Sequence, residues 1–211
     1  MTTKYAPKHI PATQRNRVPL APAKPEIVFS AWWRGDPTAS MAHLPGFAAE
    51  PASDYGLIAQ MARLDLGEVL ARVRGGHRPY LARLGGAPVA YGWATTRRAA
   101  IGELGLDFAI PADNCYLWDF ATLPAWRGLG IYPRLLQAIL AREAAQADRF
   151  WIGHVRENSA SGRGIHKAGF RVAGATDCSA GRAMTFAAAA ASERARACAG
   201  LLGLGMSISL H

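Results

Sequence analysis

Apolar and polar residues repeat along the chain with two different periods, and the changes of period divide it into helices and strands. From residue 55, YGLIAQMARLDLGEVLARVRGG repeats apolar residues at helical spacing and ends at Gly75 and Gly76, which predicts one or two helices. The runs RPYLARL and APVAYGWATT flank Gly85 and Gly86 and predict a β-hairpin. The following GELGLDFAI is expected to extend the same sheet.

Strands and helices alternate through most of the remaining sequence. Short apolar runs predict strands at EIVFSAWW, CYLWDFATL, RFWIGHV, FRVAGATD and RAMTFAA. The period becomes helical after Pro124, and SASGRGIHKAG predicts a short helix that ends at Gly169. PTASMAHLPGFAAEPASD is expected to be a loop with at most one helical turn. This order predicts an α/β (α+β) fold, in which helices flank one central, mostly antiparallel sheet.

The pattern also predicts three regions. Residues 1–25 contain five prolines and no regular period, and they are expected to form a flexible basic leader. Residues 26–188 carry the predicted folded domain. Residues 189–211 begin alanine-rich and then become apolar with glycines, which predicts a helical or loose extension.

Composition narrows the class of protein. Half of the 211 residues are hydrophobic, enough for a full core. The three cysteines have neither disulfide-framework nor metal-ligand spacing, so no metal site and a reducing, cytoplasmic setting are expected. No signal peptide and no membrane span are predicted.

The positive charge is concentrated near the start of the sequence. The formal net charge is +9, and five Lys and Arg residues precede the first acidic residue, Glu26. The surplus left in the domain is modest. That surplus would suit an anionic small molecule as well as a polynucleotide, and nucleic acid is not the expected partner.

A strand-to-helix junction carries the first candidate site. In LWDFATLPAWRGLGIYPRLLQAIL, Arg127, Gly128 and Gly130 lie where a helix begins. The glycines could make a tight turn and nothing more. Alternatively, they could leave backbone N–H groups free to bind an anion such as a pyrophosphate at the helix N-terminus.

One helix and one strand later, NSASGRGIHKAGF places asparagine, serine, arginine, lysine, glycine and phenylalanine at fixed offsets. Taken alone it predicts a helix capped by Ser161. Together the two segments resemble the GCN5-related N-acetyltransferase (GNAT) superfamily. RGLGIY supplies the arginine (Arg127) and the first glycine (Gly130) of its signature, although Tyr132 stands where a glycine or alanine is usual. The resemblance covers about residues 57–188.

The resemblance implies a binding site for acetyl-CoA as cosubstrate. Main-chain groups of the strand end would bind pantetheine, the glycine loop would bind the pyrophosphate, and the downstream helix would flank the other side of the cofactor. The implied cofactor-binding residues are Phe120, Ala121, Thr122, Arg127, Gly128, Leu129, Gly130, Ile131, Tyr132, Asn158, Ser161 and Arg163.

Acetyl transfer to an amine is helped by a base and by a proton donor to the leaving thiolate. Asp119 lies in the strand where the family often has a glutamate, so it is the predicted catalytic residue. It acts as a base only if the substrate groove reaches it, and it could instead anchor a neighbouring loop or arginine. Glu103 and Asp107 are weaker candidates. Ile165 replaces the family's usual tyrosine acid, which leaves Ser161, Tyr132 or solvent as donors.

The resemblance implies an acetyl-CoA-dependent N-acetyltransferase that acts on a small-molecule or protein amine in a ternary complex. It is expected to be a monomer or homodimer, and the acceptor remains unidentified. The alternative is a catalytically weak binding or regulatory module whose basic tail contacts nucleic acid or acidic partners. Transfer to a hydroxyl or of a longer acyl chain is a third possibility. Arg97 and Arg98, in a predicted exposed turn, could meet an acidic acceptor.

Overall fold

The computed structural model describes residues 25–178 and 183–208, which form five α-helices and eleven strands. The predicted leader lies outside the described residues except for its last position. Within the described ranges, none of the helices has both the length and the apolar character needed to cross a membrane.

Nine strands of the described residues form one sheet. In chain order they are β1 (Ile27–Trp33), β2 (Phe47–Pro51), β3 (His77–Leu84), β4 (Ala87–Thr95), β7 (Asn114–Thr122), β8 (Arg149–Val155), β9 (Arg171–Asp177), β10 (Thr185–Ala188) and β11 (Met206–Ile208). Their order across the sheet is β11-β10-β9-β1-β8-β7-β4-β3-β2. All neighbours are antiparallel except β7 with β8 and β10 with β11.

The helices cover both faces of this sheet. They are α1 (Tyr55–Ala62), α2 (Leu66–Arg74), α3 (Ile131–Glu143), α4 (Ser159–Lys167) and α5 (Glu193–Leu202). Alternation along β8 separates the two cores: Phe150 and Ile152 pack with α3, whereas Trp151 between them packs with α5. Helices α1 and α2 cover Tyr91 and Trp93 of β4.

These features confirm the predicted α/β class with a mostly antiparallel central sheet, but two segments differ from expectation. The segment predicted to be a loop contains β2, which pairs with β3 at the sheet edge. The segment expected to extend the sheet is β6 (Leu106–Ala109), which pairs with β5 (Arg98–Ile101) in a separate two-stranded sheet. Strand propensity predicted β6 correctly, but its pairing partner depends on contacts outside the segment.

The residues after 188 contain helix α5 and strand β11. Ser192 caps α5 by accepting a hydrogen bond from the Ala195 amide at 3.0 Å. One side of the helix is buried in the same core as Trp151 and Phe186. The division at residue 188 stays a prediction.

A buried carboxylate joins the end of α3 to β3. Glu143 is 3% exposed and accepts two hydrogen bonds from Arg78, at 2.8 and 2.6 Å, and one from the Tyr80 hydroxyl at 2.6 Å. Burial, together with the hydrogen bond to Glu143, raises the pKa of Tyr80 well above its ordinary value. The phenol therefore remains a donor at neutral pH.

Replacing Glu143 with Gln should destabilise the protein, because a neutral amide loses the charge-assisted bonds to Arg78. The expected decrease in the free energy of unfolding is about 1.5–3 kcal/mol. Urea denaturation measures it. As a control, Asp148→Asn breaks an exposed pair with Arg34 and should cost less than about 1 kcal/mol. Equal losses in the two variants would contradict this account.

Candidate active site

A gap opens between the two central parallel strands. β7 and β8 pair from Asn114 with Arg149 to Leu117 with Ile152, and no pairing follows, although β7 continues to Thr122 and β8 to Val155. Unpaired parallel strands expose main-chain N–H and C=O groups on the facing edges. The predicted pantetheine residues Phe120, Ala121 and Thr122 lie on β7 along this gap.

A β-bulge in β7 marks the beginning of the gap. Tyr91 of β4 lies opposite Ala121 and Trp93 lies opposite Trp118, so Gly92 alone faces both Asp119 and Phe120. Asp119 has φ 50°. A Cβ atom on Gly92 would lie 2.0 Å from the Phe120 ring, so this bulge requires glycine in the neighbouring strand. Bulges re-aim side chains, and here Trp118 and Asp119 both contact Arg72.

Asp119 is ion-paired and partly open to solvent. Its Oδ2 atom accepts from Arg72 Nη1 at 2.5 Å, Oδ1 lies 3.5 Å from the Tyr91 hydroxyl, and 31% of the side chain is exposed. Its neighbours in the sequence YLWDFAT are mostly apolar. The bulge turns it toward α2. Both sequence-based roles remain compatible with this geometry, since Oδ2 anchors an arginine while Oδ1 has no charged partner among the described residues.

Arg72 and Tyr91 complete this cluster; sequence reasoning missed Arg72 and did not connect Tyr91 with Asp119. Arg72 also pairs with Glu68 at 2.9 Å and lies over the rings of Trp93 and Trp118. Burial, with a further contribution from the Asp119 charge, raises the pKa of Tyr91 to about 12. Tyr91 therefore stays a neutral donor at physiological pH. Its place in an alternating strand resembled that of a core aromatic, so the sequence carried no separate signal.

The glycine loop at the start of α3 provides the second part of the site. Gly128 and Gly130 have φ values of 82° and 70°, and Gly130 is the N-cap of α3. A Cβ atom added at Gly128 would meet nothing within 4 Å, so open space faces this backbone. Leu129 between them is half-exposed. As at any helix start, the first amides have no intrahelical acceptor and favour an anion.

Two arginines hold this loop. Arg127 is exposed, and its Nε atom donates to the Thr122 carbonyl at 3.1 Å. Arg134 donates to the carbonyls of Gly130 at 2.9 Å and Ala42 at 2.6 Å. Arg134 was missed by sequence reasoning, although its position one turn after the glycine N-cap is the signal that could have found it.

The remaining predicted loop residues point away from the open space. Ile131 is 1% exposed and belongs to the core under α3. The Tyr132 ring packs against Phe120 with ring centroids 5.5 Å apart, and its hydroxyl lies 3.4 Å from Ser161 Oγ. Burial raises the pKa of Tyr132 to about 12. The bulky residue in the signature therefore fills the space between α3 and α4 and leaves the loop open.

Asn158, rather than Ser161, caps helix α4. The Asn158 side-chain oxygen accepts from the Ser161 amide at 3.1 Å, which corrects the expectation that the serine hydroxyl caps. Arg163 is exposed and donates to Ser159 Oγ at 3.1 Å. Ser161 therefore lies beside Tyr132 and Phe120 near the gap, whereas Asn158 is engaged in the helix terminus. Glu103 and Asp107 belong to the β5–β6 region and do not reach Asp119 through any described contact.

Two parallel strands that separate beside a helix with a glycine N-cap are the arrangement of a GNAT-like fold. The comparisons with known proteins agree with this assignment of the fold. The family described as "Acetyltransferase (GNAT) family" matches residues 40–170. This is more than half of the sequence, and the chain belongs to that family. A search of curated proteins finds no match.

Solved structures align with the chain at low identity. A GNAT-family protein from Novosphingobium aromaticivorans DSM 12444 aligns with a TM-score of 0.50 and 20% identity, over 70% of this chain and 60% of its own. A GCN5-related N-acetyltransferase from Kribbella flavida gives 0.47 and 16%, over 70% and 54%. A Salmonella typhimurium protein solved with its cofactor acetyl-CoA gives 0.43 and 18%, over 60% and 80%. The chain thus spans 54–60% of the first two proteins.

Gly164 of α4 should be intolerant of alanine because of Tyr132. Gly-to-Ala replacement within a helix ordinarily stabilises by about 1 kcal/mol. Here the new Cβ would lie 2.4 Å from Tyr132 Cδ1, and such overpacking costs about 1–3 kcal/mol. Urea denaturation of Gly164→Ala should therefore show a less stable protein.

The matched control is the same change in a Tyr132→Ala background. With the ring removed, Gly164→Ala should become stabilising, and the cycle should reveal a coupling between the two positions. Stabilisation by Gly164→Ala in the unaltered protein would contradict the packing described between α3 and α4.

Proposed function

We propose that the protein is an acetyl-CoA-dependent N-acetyltransferase that transfers the acetyl group directly to an amine in a ternary complex. The observation that carries this proposal is that the same short segment contains an unpaired strand edge at Phe120–Thr122 and an open glycine loop at Gly128–Gly130. The first suits the amide-rich pantetheine arm, and the second suits a pyrophosphate. The acetyl-CoA found in the Salmonella typhimurium protein is consistent with this choice of cosubstrate.

The proposed cofactor site divides the predicted residues by role. Main-chain groups of Phe120 and Ala121 and the amide of Thr122 bind the pantetheine arm, since the Thr122 carbonyl already accepts from Arg127. The amides of the loop from Arg127 to Tyr132 bind the pyrophosphate, and the guanidinium of Arg134 adds positive charge beside them. Ser161 and Arg163 flank the other side of the arm. Asn158 contributes by fixing the first turn of α4.

Asp119 is the proposed base. The acceptor nitrogen attacks the thioester carbonyl and loses a proton to Oδ1, the carboxylate oxygen that Arg72 leaves uncovered. The C–N bond forms, the C–S bond breaks, and the thiolate leaves and takes a proton from solvent. Arg72 and the neutral Tyr91 hydroxyl position the carboxylate. A thiolate is a good leaving group, so no residue is required to replace the tyrosine missing at Ile165.

Gly128→Glu should abolish acetyl-CoA binding, because the new side chain enters the open space of the loop and repels phosphate. Gly85→Glu is a matched control. Gly85 also has positive φ, at 57°, and open space around its Cβ position. The two substitutions therefore cause the same kind of backbone strain and the same change in charge. Calorimetry should show unchanged affinity in the control and at least about tenfold weaker binding in Gly128→Glu. Equal affinities in both variants would overturn the cofactor assignment.

Asp119→Asn should lower kcat by about 10²–10⁴-fold while acetyl-CoA affinity stays unchanged, because the amide cannot accept the amine proton. Asparagine tolerates left-handed φ, so the bulge should persist. CoA release with the fastest acceptor of an amine panel measures the effect. Asp113→Asn makes the same change at another aspartate of positive φ, 60°, and should leave kcat unaltered. A kcat for Asp119→Asn equal to that of the control would remove Asp119 from catalysis.

A further inference from the structure

A small cavity lies beside the proposed catalytic cluster on the face away from α3. Its volume is about 270 Å³, just below the roughly 300–1,000 Å³ of drug-sized ligand pockets. Its lining residues come from β3, β7 and the small β5–β6 sheet: His77, Arg98, Ala99, Ala100, Asp107 and Trp118. A cavity of this size suits a small metabolite.

Trp118 links this cavity to Asp119. The indole forms one wall of the cavity and also stacks with Arg72, whose guanidinium carbon is 4.7 Å from the ring centroid. The same guanidinium binds Asp119. Trp118 and Asp119 are adjacent in the bulge and contact the same guanidinium, so the cavity adjoins the residue next to the proposed base.

The inner wall offers a neutral hydrogen-bond donor. Trp118 Nε1 donates to His77 Nδ1 at 3.1 Å, which leaves Nε2–H as the donor of the neutral imidazole. Burial and the nearby Arg72 charge lower the pKa of His77. The ring therefore remains neutral at physiological pH, with one N–H available to an acceptor atom of a ligand.

The outer wall of the cavity contains an arginine whose carboxylate partner a ligand can replace. Arg98 Nη2 pairs with Asp107 Oδ1 at 2.8 Å, but 63% and 64% of these side chains are exposed. Such pairs contribute little to stability, so a ligand anion can replace Asp107. A guanidinium fork fits a planar carboxylate with two parallel hydrogen bonds.

A second cavity of about 280 Å³ shares His77 and brings Arg97 close to the same ring. Arg97 makes no ion pair within the part of the chain that the structure describes, and its aliphatic chain lies against Gly76. Arg78 also lines this cavity, but it is neutralised by Glu143. On the side of the second cavity, His77 therefore has a neighbouring arginine without an ion pair among the described residues, and this charge favours anionic ligands there.

We propose that this cavity binds the acceptor, and that the acceptor is a small primary amine bearing a carboxylate, such as an amino acid. The carboxylate contacts Arg98 and the His77 N–H, the carbon skeleton lies against Trp118, and the amine faces Asp119. This inference rests on the proposed acetyltransferase function and adds its substrate class. It predicts that the protein distinguishes acceptors by the charge of their carboxylate, a group that takes no part in acetyl transfer.

The screen measures CoA release from acetyl-CoA with the twenty common amino acids, and with the carboxamide of each one that reacts. At least one amino acid should react, and its carboxamide should show about 10–100-fold lower kcat/KM. 2-Aminoethyl phosphate tests phosphate as the anion. Equal rates for acid and carboxamide, reaction of 2-aminoethyl phosphate alone, or reaction only with amines lacking an anionic group would overturn the carboxylate assignment.

Arg98→Gln tests the residue. It should raise KM for the amino acid about 10–100-fold with little change in kcat, and it should leave the carboxamide unaffected. Arg34→Gln breaks another exposed arginine–carboxylate pair, with Asp148, and is the matched control. Arg98→Lys should recover part of the lost affinity for the amino acid, because lysine keeps the positive charge but cannot form two parallel hydrogen bonds to a carboxylate. An unchanged acid-to-carboxamide ratio in Arg98→Gln would reject the proposed contact.

Calorimetry separates failure of this inference from failure of the proposed function. The protein is titrated first with CoA and then, with CoA present, with the reactive amino acid, or with each amino acid in turn if none reacts. CoA binding without discrimination between acid and carboxamide overturns only the acceptor class. Absence of CoA binding overturns the transferase proposal, and the second titration then decides the cavity assignment on the free protein.

Discussion

The separation of β7 from β8 after the Leu117–Ile152 pair is the constraint on which the rest of the site depends. β7 keeps its antiparallel pairing with β4 to the end, while its parallel neighbour turns away. The bulge at Asp119 allows this by absorbing one extra residue and increasing the local twist. A continuous ladder of hydrogen bonds between β7 and β8 would satisfy every main-chain N–H and C=O group on their facing edges. The gap instead leaves an edge free inside the sheet, directly before the turn into α3.

This constraint also places two kinds of chemistry on opposite faces of one strand. Phe120 points toward α3 and α4, where it meets Tyr132, whereas Trp118 and Asp119 point toward α2, where they meet Arg72. The proposed cofactor and acceptor sites therefore share the short stretch between these residues. Each face has its own supporting contacts.

The sequence predicted much of the proposed cofactor site and less of the proposed acceptor site. Gly128 and Gly130 were identifiable because left-handed backbone at a helix start is a local requirement that favours glycine. Arg72 and Tyr91 were not, because each reaches Asp119 from a distant part of the chain. Tyr132 illustrates the same limit: its departure from the family signature is balanced by Gly164, 32 positions later, and no local pattern connects them.

The sequence by itself determined most of the order of helices and strands, the family, and the loop that begins α3, because periodicity, caps and positive-φ glycines act over a few residues. Only the tertiary structure decided that β6 pairs away from the main sheet and that Asn158 caps α4. It alone placed Asp119 against an arginine, with a cavity one residue away. Pairing partners, ion pairs and cavities depend on which distant segments come together, and that information lies in long-range contacts rather than in local pattern.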